Sequence, residues 1–199
     1  MTDAAVHSDP LPVGSLGRRA GGWYGMLAVI MTEGALFAYL LFSYYYFAVQ
    51  YGREFLPPEL PKFLLSLPNT VILLASSVAA WFAERGLHMG RKDNLVWGLA
   101  ATIALGTLFM VIQGAEWAEK PFTMASAAYG SLYFTITGFH MAHVAIGLIM
   151  LGFLLLWSWL DYFDRKRSAP LAIGIAYWHF VDAVWLTLFF TFYITPRLG

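Results

Sequence analysis

The sequence predicts an all-α protein, an integral membrane bundle of five transmembrane helices. Apolar residues make up 59% of the chain and charged residues only 12%, whereas soluble domains have about 25% charged residues. The charged residues separate five apolar runs, each near the roughly 20 residues that cross a bilayer. Because these runs lack the alternating pattern of a membrane barrel, and lipid offers backbone groups no hydrogen-bond partner, each run is expected to be helical.

Charged residues and an aromatic belt define the limits of the first three predicted helices. The first covers about 22–49 and ends in the aromatic run FSYYYF, which is typical of the membrane interface. The second covers about 65–84, inside an uncharged run. The third covers about 94–115 and is bounded by Asp93 and Glu116.

The last two helices complete a single membrane domain. The fourth, about 126–160, lies in a 40-residue uncharged stretch that is long enough to tilt. The fifth, about 171–195, is expected to be closed by Pro196. Because the connecting segments are short, residues 22–199 are expected to form one domain with no soluble domain attached. Residues 1–21 have no continuous apolar core, which predicts a flexible cytoplasmic tail and no cleavable signal peptide.

The basic residues of the loops predict the orientation of the chain. A cytoplasmic N-terminus and a periplasmic C-terminus place eight of the 12 Lys and Arg residues inside and four outside. This agrees with the excess of positive charge in cytoplasmic loops. The inside residues are Arg18, Arg19, Arg85, Arg91, Lys92, Arg165, Lys166 and Arg167, and the outside residues are Arg53, Lys62, Lys120 and Arg197.

Composition also excludes several classes of function. The formal net charge is zero, which argues against nucleic acid as a partner. The chain has no cysteine, so disulfides, thiolate metal sites and thiol nucleophiles are excluded. A haem held by two imidazoles would have to use two of His140, His143 and His179, the only histidines within the predicted helices.

Several polar side chains lie within the predicted helices, where burial in lipid is costly. The sequence places five of them at membrane depth: Glu33, His140, His143, His179 and Asp182. The two pairs spaced i, i+3 each share one face of a helix. Two interpretations stay open for these residues. They are hydrogen-bonding ties between helices, worth about 0.6–2 kcal/mol each, or they carry a lipid, proton or ligand-binding role.

A second acidic pair lies at the end of the third helix. Glu116 and Glu119 occur in the segment IQGAEWAEKPF, where the helix is expected to emerge on the outer side. Both carboxylates are therefore expected to be reached by water. His179 and Asp182 are expected to face the bundle interior and to fix how the fourth and fifth helices meet.

Three longer segments resemble one known family. The stretches LPNTVILLASSVAAWF, QGAEWAEKPFTMASAAYGSLYFTITGFHMAHVAIG and YWHFVDAVWLTLFFTFYI are similar to subunit III of the haem–copper respiratory oxidases, as is the first helix with GMLAVIMTEGALF. The resemblance covers most of residues 22–194 in the family's order. In this resemblance Glu33 matches the family's buried helix glutamate, and His140, His143, His179 and Asp182 match polar positions of its motifs.

The resemblance implies a non-catalytic core subunit of a proton-pumping terminal oxidase. Haems and copper would reside in subunits I and II, no cofactor would be held by this chain, and it would pack beside subunit I. The implied roles are support of proton uptake, oxygen access and active-site stability. Longer family members have seven helices, so this chain resembles the short bacterial-type form, which implies a bacterial inner membrane. Phospholipids and other respiratory complexes are further implied partners.

Alternatives remain at this point. Within the superfamily, the chain is alternatively a quinol oxidase subunit III or an accessory subunit of nitric oxide reductase, although the YWHFVD and EKPF stretches favour the cytochrome c type. Outside it, a haem-binding membrane anchor predicts a Soret band in the isolated chain. An ion-coupled transporter using Glu33 predicts repeat symmetry, which the sequence lacks.

Overall fold

The computed structural model describes residues 21–61, 63–163 and 168–198. Within these ranges every regular element is helical, and five helices are long and apolar enough to cross a membrane. The all-α, five-helix prediction is therefore confirmed. The elements in chain order are α1 (Gly21–Tyr51), a 3-10 turn (Gly52–Phe55), α2 (Phe63–His88), α3 (Lys92–Ala118), α4 (Ala128–Trp159), α5 (Ala169–Phe189), a π-helical turn (Phe190–Ile194) and α6 (Thr195–Leu198).

Two predictions fall wholly or partly outside the described ranges. The flexible tail was assigned to 1–21, of which only Gly21 is described, as the first residue of α1. Six of the basic residues used for the orientation also lie outside: Arg18, Arg19, Lys62, Arg165, Lys166 and Arg167. The tail and the orientation stay predictions.

The expectation that Pro196 closes the fifth helix is wrong. Proline lacks a backbone N–H and ends many helices. Here a π-helical turn at Phe190–Ile194 precedes it, and the helical path continues through Thr195–Leu198. The Thr195 hydroxyl donates to the Phe190 carbonyl at 3.2 Å. The wider turn moves Pro196 into the first turn of α6, where a missing N–H costs nothing.

Helices α2 and α3 form a tight antiparallel hairpin. At the turn, Gly90 has φ +71°, a conformation that favours glycine. The Arg91 N–H donates to the Gly86 carbonyl at 2.8 Å and the Gly90 N–H to the Leu87 carbonyl at 3.0 Å. These two bonds are those of a Schellman C-cap, which ends α2 and reverses the chain.

The large aromatic residue Trp178 of α5 fills the centre of the bundle. A Cβ atom added at Gly106 of α3 would lie 2.6 Å from the Trp178 ring, and one added at Gly147 of α4 would lie 2.9 Å from it. The two glycines therefore make room for the indole between α3 and α4. Helix α1 is peripheral, because Phe37 and Tyr44 are its only buried residues.

We predict that Gly98→Ala destabilises the hairpin. A Cβ at Gly98 would lie 2.8 Å from the Ala83 backbone nitrogen, so α2 and α3 would have to separate. Overpacking of this kind costs about 1–3 kcal/mol. The matched control is Gly114→Ala on the same helix, where nothing lies within 4 Å of the added atom. The thermal midpoint of the purified protein should fall for the first variant only, and equal midpoints would contradict the contact.

Candidate functional site

The predicted membrane-depth residues Glu33 and His143 form a direct contact between α1 and α4. Glu33 Oε2 lies 3.1 Å from His143 Nε2. The other ring nitrogen, Nδ1, lies 2.7 Å from the Phe139 carbonyl oxygen one turn earlier on α4. The His143 side chain is 10% exposed and the Glu33 side chain 33% exposed.

The Phe139 carbonyl fixes the protonation pattern of this pair. A carbonyl oxygen only accepts, so Nδ1 of His143 carries a hydrogen and donates it. Nε2 then either accepts from a protonated Glu33 or donates to an ionised one. In both cases one proton lies between the two side chains, and the pair as a whole is neutral. A neutral pair is far less costly at membrane depth than a lone carboxylate.

His140 occupies a different position from His143 although both lie on α4. It is fully buried. Its ring stacks on Trp185 at 5.1 Å between centroids and meets the Phe109 ring edge-on at 6.0 Å. Neither ring nitrogen has a hydrogen-bond partner within the described part of the chain.

His179 and Asp182 of α5 share one partner, Ser77 of α2. The Ser77 hydroxyl donates to Asp182 Oδ2 and lies 2.9 Å from His179 Nδ1. Because a hydroxyl has a single hydrogen, this arrangement makes His179 Nδ1–H the donor to Ser77. Asp182 is 4% exposed, as expected for an interior-facing residue.

The expectation that His179 and Asp182 fix how the fourth and fifth helices meet is wrong. Their contact is with α2, not with α4. Helices that follow each other in sequence need not be the ones in contact. The face of α5 that carries Asp182 points towards α2, which comes much earlier in the chain. The two side chains therefore tie α5 to α2.

Two tryptophans add further ties between α2 and α5 that the sequence analysis missed. Trp178 Nε1 donates to Ser76 Oγ, and Trp185 Nε1 donates to Thr70 Oγ1, each at 3.0 Å. From sequence alone, the small-residue run LLASSVAAW indicates only close helix packing. The sequence does contain a signal for these ties, because Trp178 and Trp185 are seven residues apart on one face of α5 and flank Asp182.

The outer acidic pair divides into one buried and one exposed residue. Glu119 is exposed, as expected. Glu116 is only 4% exposed, so the expectation that it is as open to water as Glu119 is wrong, and only its edge lines a surface pocket. It is covered because Glu116 Oε1 accepts from Lys120 Nζ at 2.7 Å and from the Tyr193 hydroxyl at 2.5 Å. The Lys120 ammonium also lies 5.3 Å from the Tyr133 ring centroid.

We predict that the Glu33–His143 contact depends on a hydrogen-bonding group and not on a charge. Glu33→Gln keeps a donor for Nε2 of His143, whereas Glu33→Leu removes it. The Leu variant should therefore loosen α1 from α4 by about 1 kcal/mol, and the Gln variant should not. Protease resistance of α1 in the detergent-purified protein measures the difference. Equal loosening by both variants would show that the carboxyl group itself is required.

The three membrane histidines do not converge on a common centre. Both nitrogens of His143 are engaged by Glu33 and Phe139, and Nδ1 of His179 is engaged by Ser77. Among the described residues there is no group of three or more His, Cys, Asp or Glu side chains arranged to hold a metal ion. What this arrangement provides is a set of hydrogen-bonded ties that join α1 to α4, α2 to α5, and the end of α3 to the π-helical turn after α5.

Comparison with known proteins gives a consistent result. A family model described as cytochrome c oxidase subunit III matches residues 15–196. The cytochrome c oxidase subunit 3 of Scyliorhinus canicula is 36% identical over 177 residues, covering 85% of this chain and 68% of the relative. That of Artemia franciscana is 37% identical over 174 residues, covering 85% and 67%. That of Sus scrofa is 36% identical over 177 residues, covering 85% and 68%.

Proposed function

The chain belongs to the cytochrome c oxidase subunit III family, and from this we propose that it holds no redox centre and supports the subunits that do. It is subunit III of a terminal oxidase and so works within a multi-subunit oxidoreductase complex in a membrane. The proposed partners are subunit I, beside which it packs, and subunit II. In this proposal those two subunits hold the haems and copper.

The observation that carries the proposal is how the ionisable groups at membrane depth are used. Glu33 pairs with His143 across α1 and α4, and Asp182 pairs with Ser77 across α5 and α2. Groups engaged in this way join helices to one another. Such use fits a supporting subunit, in which polar side chains serve as ties between membrane helices.

The peripheral position of α1 supports a partner on that side of the bundle. Of its 31 residues, 18 are exposed in the isolated chain and only Phe37 and Tyr44 are buried. The Glu33 side chain is 33% exposed on this helix. A carboxyl group that remains partly open at membrane depth is costly against lipid. We therefore place subunit I against the side of α1 where Glu33 is accessible.

The finer role follows the family resemblance. We propose that the subunit supports proton uptake, oxygen access and the stability of the active site, with phospholipids bound at its surface. We further propose a bacterial inner membrane and a cytoplasmic N-terminus. Arg85, Arg91 and Lys92 around the α2–α3 turn support that orientation, because they place three basic residues on the same side.

The proposed electron donor of the complex is cytochrome c. The relatives reported above are named cytochrome c oxidase subunit 3. A quinol oxidase, or a nitric oxide reductase that uses this subunit as an accessory, is the alternative. Turnover of the purified complex with reduced cytochrome c and with a quinol separates them.

The main proposal is tested by measuring which subunits retain the haem when this chain is removed from the oxidase. The oxidase is purified in mild detergent, and this chain is then stripped from it and isolated. We expect the whole Soret absorption to stay with the remaining subunits, which mass spectrometry identifies. A Soret band that elutes with the isolated chain would contradict the proposal and would favour a haem-binding anchor.

A further inference from the structure

Four buried polar side chains lie on the interior faces of three neighbouring helices, and we call them the polar seam. Its members are Glu116 and Gln113 of α3, Asn69 of α2 and His140 of α4, and none is more than 4% exposed. Nine buried side-chain nitrogen and oxygen atoms lack a hydrogen-bond partner across the described ranges, and six of them belong to the seam. These six are Asn69 Oδ1, Gln113 Oε1 and Nε2, Glu116 Oε2, and both ring nitrogens of His140. The Gln113 amide lies beside the Tyr133 hydroxyl without meeting the geometry of a hydrogen bond.

Phe109 contacts two members of the seam, Asn69 and His140. Its carbonyl oxygen accepts from Asn69 Nδ2 at 3.3 Å, and its ring meets the His140 ring at 6.0 Å. Gln113 follows Phe109 by one helical turn, and Glu116 follows Gln113 by three residues on the same face of α3. The members on α3 therefore follow Phe109 over about two turns of one helix face, and Asn69 and His140 lie at the Phe109 end.

The seam has an open end and a closed end. At the open end, Glu116 lines a surface pocket of about 160 Å³ together with Lys120, Glu59 and Pro61. At the closed end lies Phe37 of α1. Its ring meets His140 edge-on at 6.4 Å between centroids and His143 at 5.1 Å. Phe37 therefore separates the seam from the Glu33–His143 pair.

The mixture of hydrogen-bond donors and acceptors without partners determines which kind of ligand fits the polar seam. Gln113 Nε2 is a donor, whereas Asn69 Oδ1, Gln113 Oε1 and Glu116 Oε2 are acceptors. A neutral His140 ring adds one donor and one acceptor. A metal ion would need acceptors alone, and an anion would need donors alone. Water both donates and accepts, and a buried water typically makes about three hydrogen bonds to such groups.

We propose that the polar seam is a binding site for ordered water, supplied through the pocket at Glu116 and closed by Phe37. The bound water satisfies the Gln113 amide, the Asn69 carbonyl and the His140 imidazole within the membrane. This site is independent of the role proposed above for the subunit.

Radiolytic hydroxyl labelling of the intact oxidase tests the site, because radicals formed from bound water oxidise the side chains beside it. Trp185 and Trp178 are a matched pair. Both are buried on α5 and both have a bonded indole N–H, but only Trp185 stacks on His140. We expect Trp185 and His140 to be oxidised several-fold faster than Trp178. Equal rates at Trp185 and Trp178 would overturn the proposal.

The variant Gln113→Leu provides a second and independent test. If the amide binds water, its removal should lower the oxidation rate of Trp185 and lower the thermal midpoint of the complex. If the seam is dry, Leu replaces an amide that makes no hydrogen bond of good geometry, and the midpoint should rise with no change in labelling. The second result would overturn the water site.

Discussion

Replacing Lys120 by Met produces the largest loss of stability that we expect from a single substitution. Lys120 and Glu116 are buried together, with side chains 6% and 5% exposed and a 2.7 Å contact. Methionine keeps most of the apolar stem of Lys120, but it leaves the Glu116 carboxylate without its cation. Breaking a buried ion pair on one side costs about 3–5 kcal/mol. The fall in thermal midpoint of the purified complex measures it.

The double variant Glu116→Gln with Lys120→Met is the control for this prediction. It removes both charges, while the side-chain carbonyl of the introduced glutamine can still accept from the Tyr193 hydroxyl. We expect the double variant to recover most of the lost stability, because no uncompensated charge remains buried. A double variant as unstable as Lys120→Met alone would show that packing of the lysine, and not its charge, is what matters.

Replacing Asp182 by Leu is expected to have the second largest effect. The substitution removes the acceptor of the Ser77 hydroxyl, at a cost of about 1–3 kcal/mol. The larger side chain also crowds a site that is 4% exposed, which adds about 1–3 kcal/mol. Helices α2 and α5 should loosen, and less of the chain should remain bound when the oxidase is purified. Quantitative mass spectrometry of the subunits in the purified complex measures this retention.

Asp182→Asn is the matched control for the Asp182 prediction. Its side-chain oxygen still accepts from Ser77, and its volume is close to that of Asp. We expect retention of the chain in the complex to be near that of the unaltered protein. Normal retention of Asp182→Leu would contradict the tie between α2 and α5, and poor retention of Asp182→Asn would show that the carboxyl group is needed.

The helices could be predicted from the sequence because the membrane leaves the backbone few choices. A long apolar run in lipid has to satisfy its own N–H and C=O groups, so hydropathy alone locates α2 to α4 within a few residues. The prediction that the fifth helix ends at Pro196 is wrong for a local reason. The π-helical turn at Phe190–Ile194 changes the hydrogen-bonding register just before the proline, and apolar composition carries no sign of such a turn.

The partners of the polar residues were harder to predict than their positions. Counting residues along a helix gives depth, and it places Glu33 and His143 within the membrane. It does not give the order of helices around the bundle, so it does not show that Asp182 of α5 contacts α2 and not α4. Glu116 was judged exposed because Lys120 was treated as a loop charge and Tyr193 lies 77 residues away in sequence. The family, by contrast, was correctly indicated by the motifs themselves.

The most direct test of the central claim is the initial turnover rate, per haem, of an oxidase that carries Glu33→Gln. The claim is that ionisable side chains of this subunit tie helices together, while the redox chemistry belongs to other subunits. Glutamine keeps the hydrogen bond to His143 and removes the acidic proton. The account predicts normal assembly and an unchanged initial rate. Normal assembly with a lost initial rate would contradict it, because Glu33 would then be acting as an acid in the reaction.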